Sequence, residues 1–221
     1  MSAVNVAIHW MSYSPRVTEG RRERKKQRTR QALVEAAIEL FETKGYEETT
    51  VAQIAEAADV STRTFFLHFA AKEDVLLANA ATRVGSGVRA IVQRQADESV
   101  PEVLRRAAER MIADAWHTDL PNGLAALRAR LIVSVPALQA GLLHRLLTGQ
   151  TELTEALYQA FPEQLTLIDA AALVGAVVGA INAAALTSLR QGDQPDEVRA
   201  AMSRAVDVAI TSSSAHGYFV G

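Results

Sequence analysis

At 221 residues the chain is long enough for one substantial core, or for a small head fused to a larger body. Apolar residues make up 49% and charged residues 22%, and the few glycines and prolines fall between long stretches of Ala, Leu, Val, Glu and Arg, the composition of an all-helical globular protein. The absence of cysteine excludes disulfides and thiolate metal sites. The net charge of −2 conceals a basic start, because residues 1–30 hold eight basic side chains against only Glu19 and Glu23. A basic arm on an acidic body points to a polyanionic partner at one end only.

In chain order, residues 1–23 read as a disordered basic arm, with Pro15, Gly20 and no sustained period, and either Met1 or Met11 as the natural start. Residues 1–16 lack a basic start followed by a continuous apolar core, so no secretory signal is read and a cytoplasmic location is expected. From Leu33, apolar residues recur at helical spacing through Ala37, Leu40 and Phe41, with Val34 and Ile38 widening the face and Gly45 closing the helix. Thr50 with Gln53 is a capping-box pattern for a second helix carrying Val51, Ile54, Ala55 and Ala58. Ser61 is placed to cap a third helix that carries Phe65, Phe66 and Phe69. Two short apolar helices joined by about three residues have the sequence form of a helix-turn-helix.

A fourth helix is predicted from Lys72 to about Asp97, with Glu73 and Asp74 near its positive end. Further helices are expected from Pro101 to Thr118, between Pro121 and Pro136, from Ala137 to Ala160, from Gln164 to Arg190 and from Pro195 to Ile210, followed by a flexible tail over 212–221. The stretch from Ala170 to Ala185 is apolar enough to suggest a membrane span, but Asp169, Asn182 and the dominance of alanine argue against one. Gly175, Gly179 and Ala183 give that helix a smooth face suited to close helix approach, in the core or at a subunit interface. No histidine has ligand-like partners at short spacing, so no metal site is assigned to His9, His117, His144 or His216.

The segment from Arg30 to Phe41, followed by Gly45-Tyr46, Thr49-Thr50, Ile54-Ala55, Val60-Ser61, His68-Phe69 and Lys72-Glu73, closely resembles the TetR family of repressors. The resemblance implies a helix-turn-helix DNA-binding domain over 24–71 and a larger helical ligand-binding and dimerisation domain over 72–211. Its third helix would enter the major groove. Arg63, on the first turn of that helix, can fork onto guanine, and Thr62 and Thr64 can meet bases or phosphates. Thr50 and Lys72 open helices whose amides favour a phosphate; His68 offers a further donor to the DNA, as the family's matching histidine does, and Phe66 is expected to lie near the DNA backbone. Arg24, Lys25 and Lys26 in the arm are expected to reach phosphates or the minor groove, a solvated charge run being the alternative. Three positions depart from the family's habit: Phe66 for tyrosine, Asp59 for glycine in the turn, and Ala71 for a better helix cap.

By the same resemblance, the protein is expected to be a homodimeric repressor on a pseudo-palindromic operator, with the last two long helices at the twofold interface. It would take a small-molecule effector of unknown identity, and no other cofactor is expected. Trp116, His117, Arg128, Arg130 and His144, polar or aromatic residues in apolar helices, are the candidates to line its pocket. The alternative is a helical small-molecule binder or an enzyme with a vestigial head. No nucleophile–base pair, paired-carboxylate site, phosphate-cradling glycine loop or metal spacing appears for it, so no enzyme is expected.

Overall fold

The computed structural model describes residues 15–120, 123–132 and 134–215. The start-site question at Met1 and Met11, the expected tail beyond 215, and His9, Pro121 and His216 lie outside these residues. Among the described residues all regular structure is helical, as composition predicts.

Helix α1 spans Pro15–Thr43, so residues 15–23, expected to be disordered, are helical. The basic run is made of good helix formers. Side-chain bonds from Gln27 to Glu23 and from Gln31 to Glu35, 3.2 and 2.9 Å, tie successive turns. Gly45 follows with φ +93°, the left-handed conformation that ends a helix. Helix α2 (Val51–Ala57) starts at the capping box, where the Gln53 amide donates to Thr50 Oγ1 at 3.3 Å and the Thr50 amide to Gln53 Oε1 at 3.0 Å. Helix α3 (Thr62–Phe66) is capped by Ser61, whose Oγ accepts from the Thr64 amide at 3.1 Å.

The predicted fourth helix is broken. Lys72–Leu77 forms a 3₁₀ turn, and helix α4 begins only at Ala80 and ends at Val92. Two carbonyls at this break are taken from the side: Arg128 donates to Leu76 O at 3.1 Å and Arg30 to Ala78 O at 2.6 Å. Val75, Leu76, Leu77 and Ala78 are all buried, which a one-sided surface helix could not achieve. Helices α5 (Val100–Thr118), α6 (Leu124–Leu131), α7 (Pro136–Ala160), α8 (Leu167–Gln191) and α9 (Pro195–Ala215) complete the body. Residues 212–215, expected in the tail, belong to α9.

Two apolar clusters organise the molecule. The body cluster joins α4, α5, α7, α8 and α9 through residues such as Ile91, Leu104, Leu157, Val174, Val198 and Met202. Helices α4 and α7 approach closely at Gly149, where an added Cβ would meet Val84 at 2.7 Å. The second cluster fills the head with Leu33, Phe41, Ile54, Phe65 and Phe69, and continues through Leu76 and Leu77 into Leu124, Leu127 and Leu138 of the body. Among the described residues α8 is the one helix by itself long and apolar enough to cross a membrane, and its Ala170, Leu173, Val174, Val177 and Val178 are packed in the body cluster.

Candidate nucleic-acid interface and effector cavity

Helix α3 owes its orientation to its own sequence. Phe65 is fully buried and Phe69 nearly so, their rings 5.6 Å apart. These anchors turn the other side of the helix outward: Thr62 and Arg63 are exposed, Phe66 is 57% exposed and Leu67 is 73% exposed. Asp59 takes φ +53° in the turn between α2 and α3, the left-handed conformation for which aspartate substitutes tolerably for glycine. Thr64 is partly committed to the cap, its hydroxyl 2.9 Å from Ser61 Oγ. The Thr50 hydroxyl oxygen accepts from Gln53 and leaves its O–H to donate outward from an exposed helix start.

Arg24, Lys25 and Lys26 are exposed on α1. Lys26 also comes near the end of α3. Burial, then the Arg30 guanidinium and the Lys26 ammonium, hold the His68 imidazole below its ordinary pKa. A neutral ring results, with a buried Nδ1 that has no hydrogen-bond partner. Arg30 itself lies over the Phe69 ring at 4.3 Å and donates to His68 O at 3.0 Å, holding α3 against α1.

Lys72 sits differently from the phosphate ligand expected. Its ammonium lies 2.7 Å from Tyr46 O and 3.2 Å from Thr49 O, with Glu47 O at 3.4 Å and the Tyr46 ring 4.2 Å away. All three ammonium donors therefore have carbonyl partners in the α1–α2 loop, and Lys72 secures the head internally. Ala71 caps its turn without a side-chain bond, as expected; only the reverse half of the box is present, Asp74 accepting from the Ala71 amide at 3.2 Å.

The body holds a partly open cavity of about 310 Å³ lined by α4, α5, α6, α7, α8 and the 3₁₀ turn. Arg128 is the one expected pocket residue on its wall. His117 and His144 are exposed, and Trp116 packs at the edge of the body cluster beneath Arg199 at 5.3 Å. Arg130 pairs on the surface with Glu42 of α1 at 3.2 Å.

Sequence reasoning missed the cavity's charged core. Asp119, 1% exposed, accepts from Asn79 at 2.7 Å, from Arg83 at 2.5 Å and from Arg128 at 3.1 Å, with the Thr118 hydroxyl at 3.0 Å. Burial pushes its pKa up, but the two guanidiniums and the Asn79 and Arg128 hydrogen bonds overcome this and hold it below 3.8. A clue was available: Asp119 follows the last turn of α5, where the helix dipole disfavours a carboxylate unless cations answer it. Arg145, also on the cavity wall, pairs with Asp74 at 2.8 Å, linking α7 to the turn behind α3.

Of the expected interface residues, Gly175 is half-buried and Gly179 exposed, and an added Cβ at either would meet nothing within 4 Å. Their smooth face is thus not used inside the protomer. Ala183 is exposed and also forms part of the cavity rim.

Comparison with known proteins agrees with this geometry. Residues 33–78 match the model of the bacterial regulatory proteins of the tetR family. The chain is 39% identical over 129 residues to the HTH-type transcriptional regulator TcmR of Streptomyces glaucescens, an alignment covering 57% of each protein. The fold is shared with the fatty acid degradation regulator FadR of Bacillus halodurans (TM-score 0.56, 19% identity, 82% of this chain and 94% of that one). It is shared too with FadR of Bacillus subtilis in complex with stearoyl-CoA (TM-score 0.54, 19% identity, 81% and 97%). Residues 33–78 are thus a domain of the tetR family of bacterial regulatory proteins, and the chain spans 57% of the length of the curated relative it matches.

Proposed function

We propose that the protein is a homodimeric repressor that binds a pseudo-palindromic operator in the cytoplasm and is released by a small molecule held in the α4–α8 cavity. The observation that carries this reading is the outward face of α3. A helix pinned from behind by Phe65, Phe69 and Arg30 presents Thr62, Arg63, Phe66 and Leu67 beside the exposed cations of α1. An exposed guanidinium on the first turn suits base-edge recognition, while Thr50 and the α1 cations suit phosphates.

Dimerisation is supported by the uncovered small-residue face at Gly175 and Gly179 and by Ile168 and Val208, two large apolar residues exposed on the adjoining helices α8 and α9. A twofold pair would set two α3 helices about 34–36 Å apart on successive major-groove turns. Selection of bound fragments from genomic DNA should enrich one pseudo-palindrome with half-sites at that spacing. Enrichment of nothing, at low salt and without ligand, would refute the reading. Gly179→Arg should yield a monomer by light scattering that retains its helical spectrum and loses most operator affinity; an unchanged dimer would remove that face from the interface.

A further inference from the structure

Among the described residues the cavity wall carries three guanidiniums, those of Arg83, Arg128 and Arg145, and no carboxylate. Two acids stand behind it. Asp74 matches Arg145 one to one, but Asp119 is shared by Arg83 and Arg128. Arginine does not give up its proton in a protein, so this corner keeps one positive charge in excess. Both side chains are largely shielded from water, at 17% and 19% exposure. An unmatched charge in such a place is costly unless another anion arrives. The rest of the wall is mostly apolar, with Val84, Met111, Leu146, Leu153, Val178 and Leu186 among its residues.

We propose that the cavity takes an amphipathic anion: an apolar body along α7 and α8, and an acidic group against the Arg83–Arg128 corner. This deepens the effector reading above and rests on it only for the consequence at DNA. Arg128 donates at once to Asp119 and to Leu76 O, in the turn that follows α3. An anion drawn to this guanidinium therefore acts on a contact that seats the reading head.

Calorimetric titration of the full chain without DNA tests the site. Two acids, decanoate and 2-naphthoate, would be compared with decan-1-ol, 2-naphthylmethanol and decylamine, all below micelle-forming concentrations. At least one acid should bind about tenfold or more tightly than its matched alcohol, the advantage of hydrogen bonds to a charged group, and decylamine should not bind. Arg83→Met leaves Asp119 and Arg128 as a neutral pair, and should bring acid and alcohol within about threefold mainly by weakening the acid. Arg83→Lys should keep the preference. The inference fails if neither acid binds, if the alcohols bind as tightly as the acids, or if Arg83→Met retains the full preference while folded by thermal melt. Release from operator DNA is read separately: an acid that binds but leaves the DNA complex intact sustains the anion site and overturns the effector reading.

Discussion

Arg63 and Arg128 bring the same guanidinium into opposite surroundings. Arg63 stands in water on a five-residue helix, its direction set by a serine cap and two phenylalanines within eight residues of it. Arg128 is enclosed at a junction of α6, α5 and the 3₁₀ turn, where a carboxylate and a carbonyl hold it. The exposed cation costs little and is available to a partner; the enclosed one is part of the fold before any ligand arrives. Substitution at the first should therefore read out recognition, and substitution around the second should read out stability first.

The sharpest test of this contrast is Asp119→Leu, which leaves two enclosed guanidiniums facing one another. Unfolding free energy should fall by about 3–5 kcal/mol in urea titrations, the cost of breaking a buried pair from one side. A loss under about 1 kcal/mol would mean that water reaches this corner freely. The sign of the pH dependence is fixed as well. The folded carboxyl titrates below its ordinary value of 3.8. Its stabilisation is thus complete above that value and lost as pH falls through the lower, folded-state one. Asp119→Asn should lack this acid limb.

Arg63→Ala should leave the melt unchanged and remove about 1–3 kcal/mol of discrimination at one base pair of each half-site. Equal loss on specific and scrambled DNA in gel-shift titrations would contradict a base-reading role. Lys72→Met tests the boundary between the two regimes, since its ammonium serves the head from within. Loss of its carbonyl bonds should cost about 1.5–3 kcal/mol of stability and weaken all sequences alike. Unchanged stability with a salt slope reduced by about one would instead return Lys72 to the phosphate contacts. The smallest effect is expected at Asp59→Gly, which relieves a left-handed aspartate and should stabilise by less than about 1 kcal/mol.

The head was legible because its signals are local. Thr50 with Gln53, Ser61 with Thr64 and glycine at position 45 act within three or four residues, and the amphipathic spacing of Phe65 and Phe69 decides which face is outward. The cavity was illegible for the converse reason. Arg83, Asp119 and Arg128 come from three elements, and only the tertiary fold brings them together. On a single helix the period alone was not enough: His144 and Arg145 are about 100° apart around α7, and it is Arg145 that lines the cavity while His144 is exposed. The carbonyl partners of Lys72 were not foreseen because a cation at a turn's start is a fair phosphate ligand, and nothing nearby in sequence announces the three carbonyls that meet it. The basic run, read as an arm, is helical because its helix-forming residues and i, i+4 pairs outweigh mutual repulsion.

The apolar cluster beneath α3 has no seam where the head ends: Phe65 and Leu76 share it with Leu124, Leu127 and Leu138. Grafting this reading head onto another regulator would thus demand matching steric partners at those three leucines, or the transplant would melt. Conversely, drift at those leucines can retune how firmly α3 is held. Selection acting on the outward face of α3 therefore extends, through shared side-chain volume, into leucines of the body.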